Sequence, residues 1–195
     1  MGIVPRRNYD HYCSVSRALD VVGDRWSLLV VRELCSGPRR YSDLFADLPG
    51  ISTDMLAARL KDLEHDGILT RRRLGPRAAT TVYELTPSGA ALRPVLDALS
   101  EWGGARLGPR RATDAVRAHW FALPLGRAVA REVSAGSVTV YIGEAAFHYV
   151  IAETGITHHD GPAAEPDREY RLTLDDAIEI ALGTRPLAEA VTTPE

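Results

Sequence analysis

Three short helical stretches, a fourth helix with a polar face, an arginine-rich hairpin and a long apolar-striped helix follow one another along residues 10–107. That order predicts an α+β chain opening with a winged helix-turn-helix and its dimerisation helices, residues 1–108. A small α+β domain is expected over residues 112–195. Two further observations support the division. Gly103-Gly104 and Gly108-Pro109 punctuate the chain where a linker is needed. The charge also changes sign there: residues 1–110 carry 16 basic and 13 acidic groups, residues 111–195 carry 7 and 13.

The elements follow from periodicity and punctuation. Val15, Leu19 and Val22 recur at helical spacing, with Gly23 as a stop. Trp26, Leu29, Val30 and Leu34 form a second stripe, ended by Ser36-Gly37-Pro38. Ser42 is positioned to cap a short helix through Leu48, and Pro49-Gly50 breaks it. Ser52 opens a fourth helix to about His65, with Gly67 beyond its end. Ile68–Leu74 and Thr80–Thr86 read as strands flanking a five-residue tip. After Pro87 one long helix carries Leu92, Val95, Leu96, Leu99 and Trp102, a narrow stripe suited to a helix–helix seam. In the second half, Asp114–Val133 reads as helical stretches interrupted by Pro124 and Gly126. Ser137–Ile142, Ala146–Ala152 and Arg168–Leu172 read as strands, and Asp160–Asp167 as a loop. Thr173 caps a helix over Leu174–Leu182, with Asp176 completing a capping box and Gly183 ending it.

Composition narrows the function classes. Hydrophobic residues are 45% and charged residues 25%, ordinary for a globular protein. No apolar run approaches the roughly 20 residues of a membrane span. Asn8 and Tyr9 follow the basic start where a signal peptide would be apolar, so a cytoplasmic protein without a membrane partner is expected. Cys13 and Cys35 are too few for a disulfide framework and form no C-x-x-C pair. There is no G-x-S-x-G, H-E-x-x-H or Walker loop, so no enzyme activity and no cofactor are expected.

The fourth helix and the hairpin carry the chemistry. Leu56, Leu60 and Leu63 share one helix face and must point inward. The opposite face presents Asp54, Ala57, Ala58 and Lys61, with Thr53 and Arg59 on its flanks. Small residues let a helix approach base edges, and alanine methyls can touch thymine methyls. Ser52 and Thr53 at the helix start can hold a phosphate through hydroxyls and unpaired N–H groups. Between Ile68 and Tyr83 stand Arg71, Arg72, Arg73 and Arg77 and no acid. Arg71 and Arg73 share a strand face, and a tip arginine, Arg77, can enter a narrow minor groove. Double-stranded DNA is the expected partner.

These residues carry a family resemblance. The stretch Cys13-Ser-Val-Ser-Arg-Ala-Leu-Asp-Val-Val-Gly-Asp-Arg-Trp26 resembles the opening of the HxlR-type winged-helix transcriptional regulators. The likeness continues through Arg32-Glu-Leu34, Gly37-Pro-Arg-Arg-Tyr-Ser-Asp-Leu44 and Leu48-Pro-Gly-Ile-Ser52. It runs on through Met55-Leu-Ala-Ala-Arg-Leu-Lys-Asp-Leu63, Asp66-Gly-Ile68, Tyr83-Glu-Leu-Thr86, Gly89 and Leu99-Ser-Glu-Trp102. The resemblance implies a homodimer whose two recognition helices read a palindromic operator. It also implies that Cys13, at a position some members use to sense oxidants or electrophiles, is either a redox residue or an unreactive one. Cys35 reads as structural.

Tyr170–Val191 is similar to sterol-carrier-protein-2-like domains, which fold a curved sheet around an apolar tunnel. That similarity implies a small apolar effector, with Trp120, Phe121, Tyr141, Phe147, Tyr149 and Ile178 as pocket candidates. The alternative is a plain dimerisation or spacer module. His158-His159-Asp160, with Glu144 and His148 upstream, matches no familiar metal-site spacing. Adjacent histidines on a strand point apart, so no metal site is expected.

The expectation is a dimeric, sequence-specific DNA-binding regulator, a repressor because steric blocking of a promoter needs no further contacts. Two rivals stand beside it. One is a thiol-switched regulator acting through Cys13 with a purely structural second half. The other, from a different class, is a carrier or binding module for apolar ligands.

Overall fold

The computed structural model describes residues 8–75 and 80–190, which fall into two compact units. One holds the chain up to Leu34 together with Pro38–Leu92; the other holds Cys35–Gly37 and the chain from Arg93 onward. No helix among the described residues is long and apolar enough to cross a membrane.

The first unit begins with α1 (Ser14–Val22), ended at Gly23, and α2 (Ser27–Leu34). A two-residue strand β1 (Arg39–Arg40) precedes α3 (Tyr41–Asp47), and α4 (Thr53–His65) follows. Strands β2 (Leu69–Arg73) and β3 (Thr81–Leu85) pair antiparallel, and β1 adds to the far edge of β3. The wing is therefore a three-stranded sheet, and β1 is an element too short for periodicity to reveal. Val30, Val31 and Leu34 of α2, Leu44 of α3, Leu56, Leu60 and Leu63 of α4, and Leu69 and Val82 of the hairpin are all buried. The second helix thus buries Val31 where Leu29 was expected, and Leu29 faces outward.

Two local expectations need correction here. Ser42 does not cap α3. The cap residue is Arg40, whose N–H reaches the Asp43 carboxylate at 3.1 Å, while the Ser42 hydroxyl donates to the same carboxylate. The long helix after Pro87 is two helices, α5 (Pro87–Ala90) and α6 (Arg93–Gly104). Pro94 explains the break: in a continuous helix its ring would strike the carbonyl of Ala90, four residues back. Gly89 adds a second constraint, since a Cβ there would lie 2.0 Å from the Ile68 carbonyl oxygen.

The units divide between Leu92 and Arg93, earlier than the linker near residue 108, because α6 packs on the second unit. There α6 is followed by a 3-10 turn (Ala118–Phe121) and α7 (Ala122–Glu132). Pro124 and Gly126 do not interrupt α7. Pro124 stands in the first turn, where no N–H is needed. Gly126 lies against Tyr149, where a Cβ would stand 3.3 Å from the ring. Strands β4 (Gly136–Ile142), β5 (Ala145–Ala152), β6 (Gly155–Asp160) and β7 (Arg168–Leu172) form a sheet in the order β6-β5-β4-β7. Only the β4–β7 pair is parallel. Helix α8 (Leu174–Leu182) closes the unit with the expected Thr173–Asp176 capping box and a left-handed Gly183. Val138, Val140 and Ile142 face the core, joined by Phe147, Tyr149, Leu125, Val129 and Ile180.

Candidate nucleic-acid interface

Ser52 caps α4: its hydroxyl accepts the Met55 N–H at 3.2 Å. Tyr41 of α3 donates its hydroxyl to the Thr53 carbonyl at 2.9 Å, fastening the start of α4 to the helix before it. Sequence reasoning passed over this tyrosine, although Tyr41 stands just before the predicted cap. With the leucine face buried, Ser52, Thr53, Asp54, Ala57, Ala58 and Lys61 are all exposed.

Arg59 departs from expectation. Its guanidinium pairs with Asp24, in the turn between α1 and α2, and with Asp62 at 2.8 Å. Its side chain is only 15% exposed, so it fastens α4 to its own unit and is withdrawn from the outward face.

The hairpin leaves Arg71, Arg72 and Arg73 exposed. Arg71 lies opposite Tyr83 and Arg73 opposite Thr81, with Arg72 opposite Val82 between them. Arg71 donates from Nε to Glu64 at 2.8 Å, an ion pair that ties the wing to α4 and holds the guanidinium firmly protonated. Arg72 donates from Nε to both oxygens of Glu84 at 3.0 Å. Among the described residues, Arg73 and Lys61 have no carboxylate partner. Surface ion pairs of this kind contribute little, so Arg71 can exchange Glu64 for a phosphate at small cost. Arg77 lies outside the described residues.

Cys13 sits at the cap position of α1 and is exposed. Its thiol makes no capping hydrogen bond, but the backbone N–H groups of Ser16 and Val15, then the Ser16 hydroxyl, lie close enough to favour the thiolate and lower its pKa from the ordinary cysteine range. Cys35 is half-buried.

The six pocket candidates of the second unit are spread between its filled core and its half-buried surface. Phe147 and Tyr149 are fully buried, edge to face at 5.7 Å, and the Tyr149 hydroxyl donates to the Ala122 carbonyl at 2.7 Å. Phe121 packs on the rim of that core. Tyr141 lies beneath the Arg171 guanidinium, and Trp120 and Ile178 are half-buried. A cleft of about 250 Å³ does exist in this unit, but α6, α7 and the end of α8 line it, with Arg127, Arg131, Ile180 and Leu182 among its walls.

Residues 21–111 match a family model described as HxlR-like helix-turn-helix. YvaP of Bacillus subtilis, named as a helix-turn-helix-type transcriptional regulator, is 36% identical over 93 residues, 48% of this chain and 86% of YvaP. The regulator sll1512 of Synechocystis is 39% identical over 93 residues, 48% of this chain and 69% of its own length. Among solved structures, the reduced form of the transcriptional regulator YodB from Bacillus subtilis is 32% identical, covers 52% of this chain and 100% of its own, and superposes with a TM-score of 0.44.

Proposed function

Because this chain belongs to the HxlR-like helix-turn-helix family, we propose that it is a sequence-specific DNA-binding transcriptional regulator. It acts as a homodimer on a palindromic operator in the cytoplasm, and is not an enzyme. The observation that carries this reading is the outward face of α4, where Ser52, Thr53, Ala57, Ala58 and Lys61 stand beside the exposed Arg71 and Arg73 of the wing. In use, the start of α4 holds a phosphate while Ala57 and Ala58 let the helix reach the major groove. The wing arginines Arg71 and Arg73 follow the backbone. Exposed Val15 and Leu19 on α1, and Val95, Leu99 and Trp102 on α6, are the apolar side chains a second copy would cover. Repression by occupancy of a promoter is the mode that needs fewest further contacts.

DNA binding at two salt concentrations, with fragments selected from the source genome, tests the reading. Each phosphate contact contributes a salt slope of about 0.9 and each dimer carries the substitution twice, so Arg73→Ala should flatten the slope by about two units. Binding without sequence preference, or an unchanged slope after Arg71→Ala and Arg73→Ala together, refutes it.

A second reading rests on Cys13. An exposed thiol at a helix cap, held toward the thiolate by two backbone N–H groups, suits a regulator that responds to oxidants or electrophiles. Cys13→Ala then abolishes any oxidant effect on DNA binding, and an oxidant-insensitive wild type removes the idea. A small effector, where one acts, fits the cleft of α6, α7 and α8 better than the filled core around Phe147 and Tyr149.

A further inference from the structure

The DNA-binding reading leaves unused a histidine pair in the second unit. His148 on β5 and His159 on β6 are directly opposed in the antiparallel ladder. Opposed residues put their side chains on the same face of a sheet. The two rings stack with centroids 5.2 Å apart and planes 26° from parallel. His148 is half-buried, and its Nδ1 lies 2.9 Å from the Gly161 carbonyl oxygen. A carbonyl can only accept, so Nδ1 carries the proton and Nε2 keeps its lone pair. An imidazole held through one nitrogen by a carbonyl, with the other left to donate electrons, is the arrangement of a metal-bound histidine. His159 is exposed, and its hydrogen-bond contact to the Thr157 hydroxyl, at 3.4 Å, is long and readily given up. His158, between them in sequence, turns to the opposite, buried face.

We propose that His148 and His159 form a two-imidazole site for a late first-row divalent ion, Cu²⁺ ahead of Ni²⁺ and Zn²⁺. The spacing fits. An ion lies about 2.0–2.1 Å from imidazole nitrogen, which puts each ring centroid about 3.2 Å from it. Two rings at a tetrahedral angle then have centroids about 5.2 Å apart, the order of separation already present. The ring planes of the stack run nearly parallel, so binding also requires the exposed His159 side chain to swing about its torsions until its free nitrogen meets an ion in the plane of the His148 ring. Imidazole suits all three ions, and the general order of divalent affinities places copper first. The remaining coordination positions go to water.

The test uses the tag-free, chelator-stripped full chain, titrated separately with CuCl₂, NiCl₂ and ZnCl₂ by calorimetry, with histidine ring-proton NMR alongside. One Cu²⁺ per chain should bind, broadening the His148 and His159 ring signals first. His159→Gln and His148→Asn should each weaken binding at least about tenfold. His148→Asn also removes the bond to Gly161, so the exposed His159→Gln decides if that variant misfolds. The proposal is overturned if none of the three ions binds below about 1 mM, or if His159→Gln binds as tightly as the wild type.

Discussion

Acid should destabilise the second unit through one histidine. His158 on β6 is 2% exposed, and its Nδ1 lies 2.7 Å from Nη2 of Arg93 on α6. A guanidinium can only donate, so His158 accepts at Nδ1 and is neutral in the native state. Protonation would bury a charge and set it against a cation. Burial first, then Arg93, His159 of its own strand and His119 of the 3-10 turn, push the imidazole from 6.5 down to about 3. Tyr149 of β5 faces it edge-on at 6.4 Å and offers no charge. The native pKa lies below the unfolded one, so the unfolded chain binds more protons between about pH 3 and pH 6.5. Stability is therefore full above pH 6.5 and falls as the pH drops through that window. At pH 5 the loss due to this group is about 2 kcal/mol relative to pH 8. Urea unfolding followed by far-UV circular dichroism at both pH values, with chelator present, measures it. His158→Gln keeps an acceptor for Arg93 but cannot titrate, so its loss between pH 8 and pH 5 should be smaller by about 2 kcal/mol. Carboxylates common to both proteins cancel in the comparison. Equal losses in wild type and variant would refute the reasoning.

Three further outcomes are expected. Gly89→Ala should destabilise the first unit by more than about 2 kcal/mol, because its new methyl meets the Ile68 carbonyl, a backbone atom that cannot rotate away; a Tm within about 2 °C of wild type would contradict this. Phe147→Ala should cost about 3–5 kcal/mol, since the ring is fully buried between sheet and helices; chemical denaturation checks it. Ser52→Ala should lower stability by about 0.5–2 kcal/mol and weaken operator binding as well, whereas a change in stability alone would detach the cap from the phosphate contact.

Elements with both a period and a punctuation mark were legible in the chain. Helix α4 had Ser52, three leucines and Gly67; helix α8 had Thr173, Asp176 and Gly183. The wing followed from two alternating runs around a glycine-proline turn. What escaped was decided by contacts distant in sequence. Strand β6 shows no apolar alternation over Thr157-His-His-Asp160 to mark it as an element, and it becomes a strand because β5 supplies its hydrogen bonds. The kink between α5 and α6 depends on Pro94 meeting Ala90, and the apolar spacing runs straight through it. On the candidate interface, the helix wheel correctly turned Ala57, Ala58 and Lys61 outward. It placed Arg59 on the flank but could not know that Asp24, 35 residues earlier, would claim the guanidinium. The aromatic residues chosen as pocket walls were chosen by size, and size alone does not separate a lining from a filling.

Helix α6 bears on how this chain can be taken apart. The resemblance to known regulators runs through it, yet Arg127 of α7 donates to the Asp97 carbonyl, Arg93 reaches His158, and Leu96 is buried. A fragment cut at the glycine-rich connector would carry α6 away from these partners. It would display a greasy, half-charged rod, prone to precipitate or to pair out of register. Exchanging the C-terminal unit between regulators would meet the same obstacle, since the donor must also recreate the bed on which this rod lies. The practical seam for dissection or grafting is therefore the peptide after Leu92.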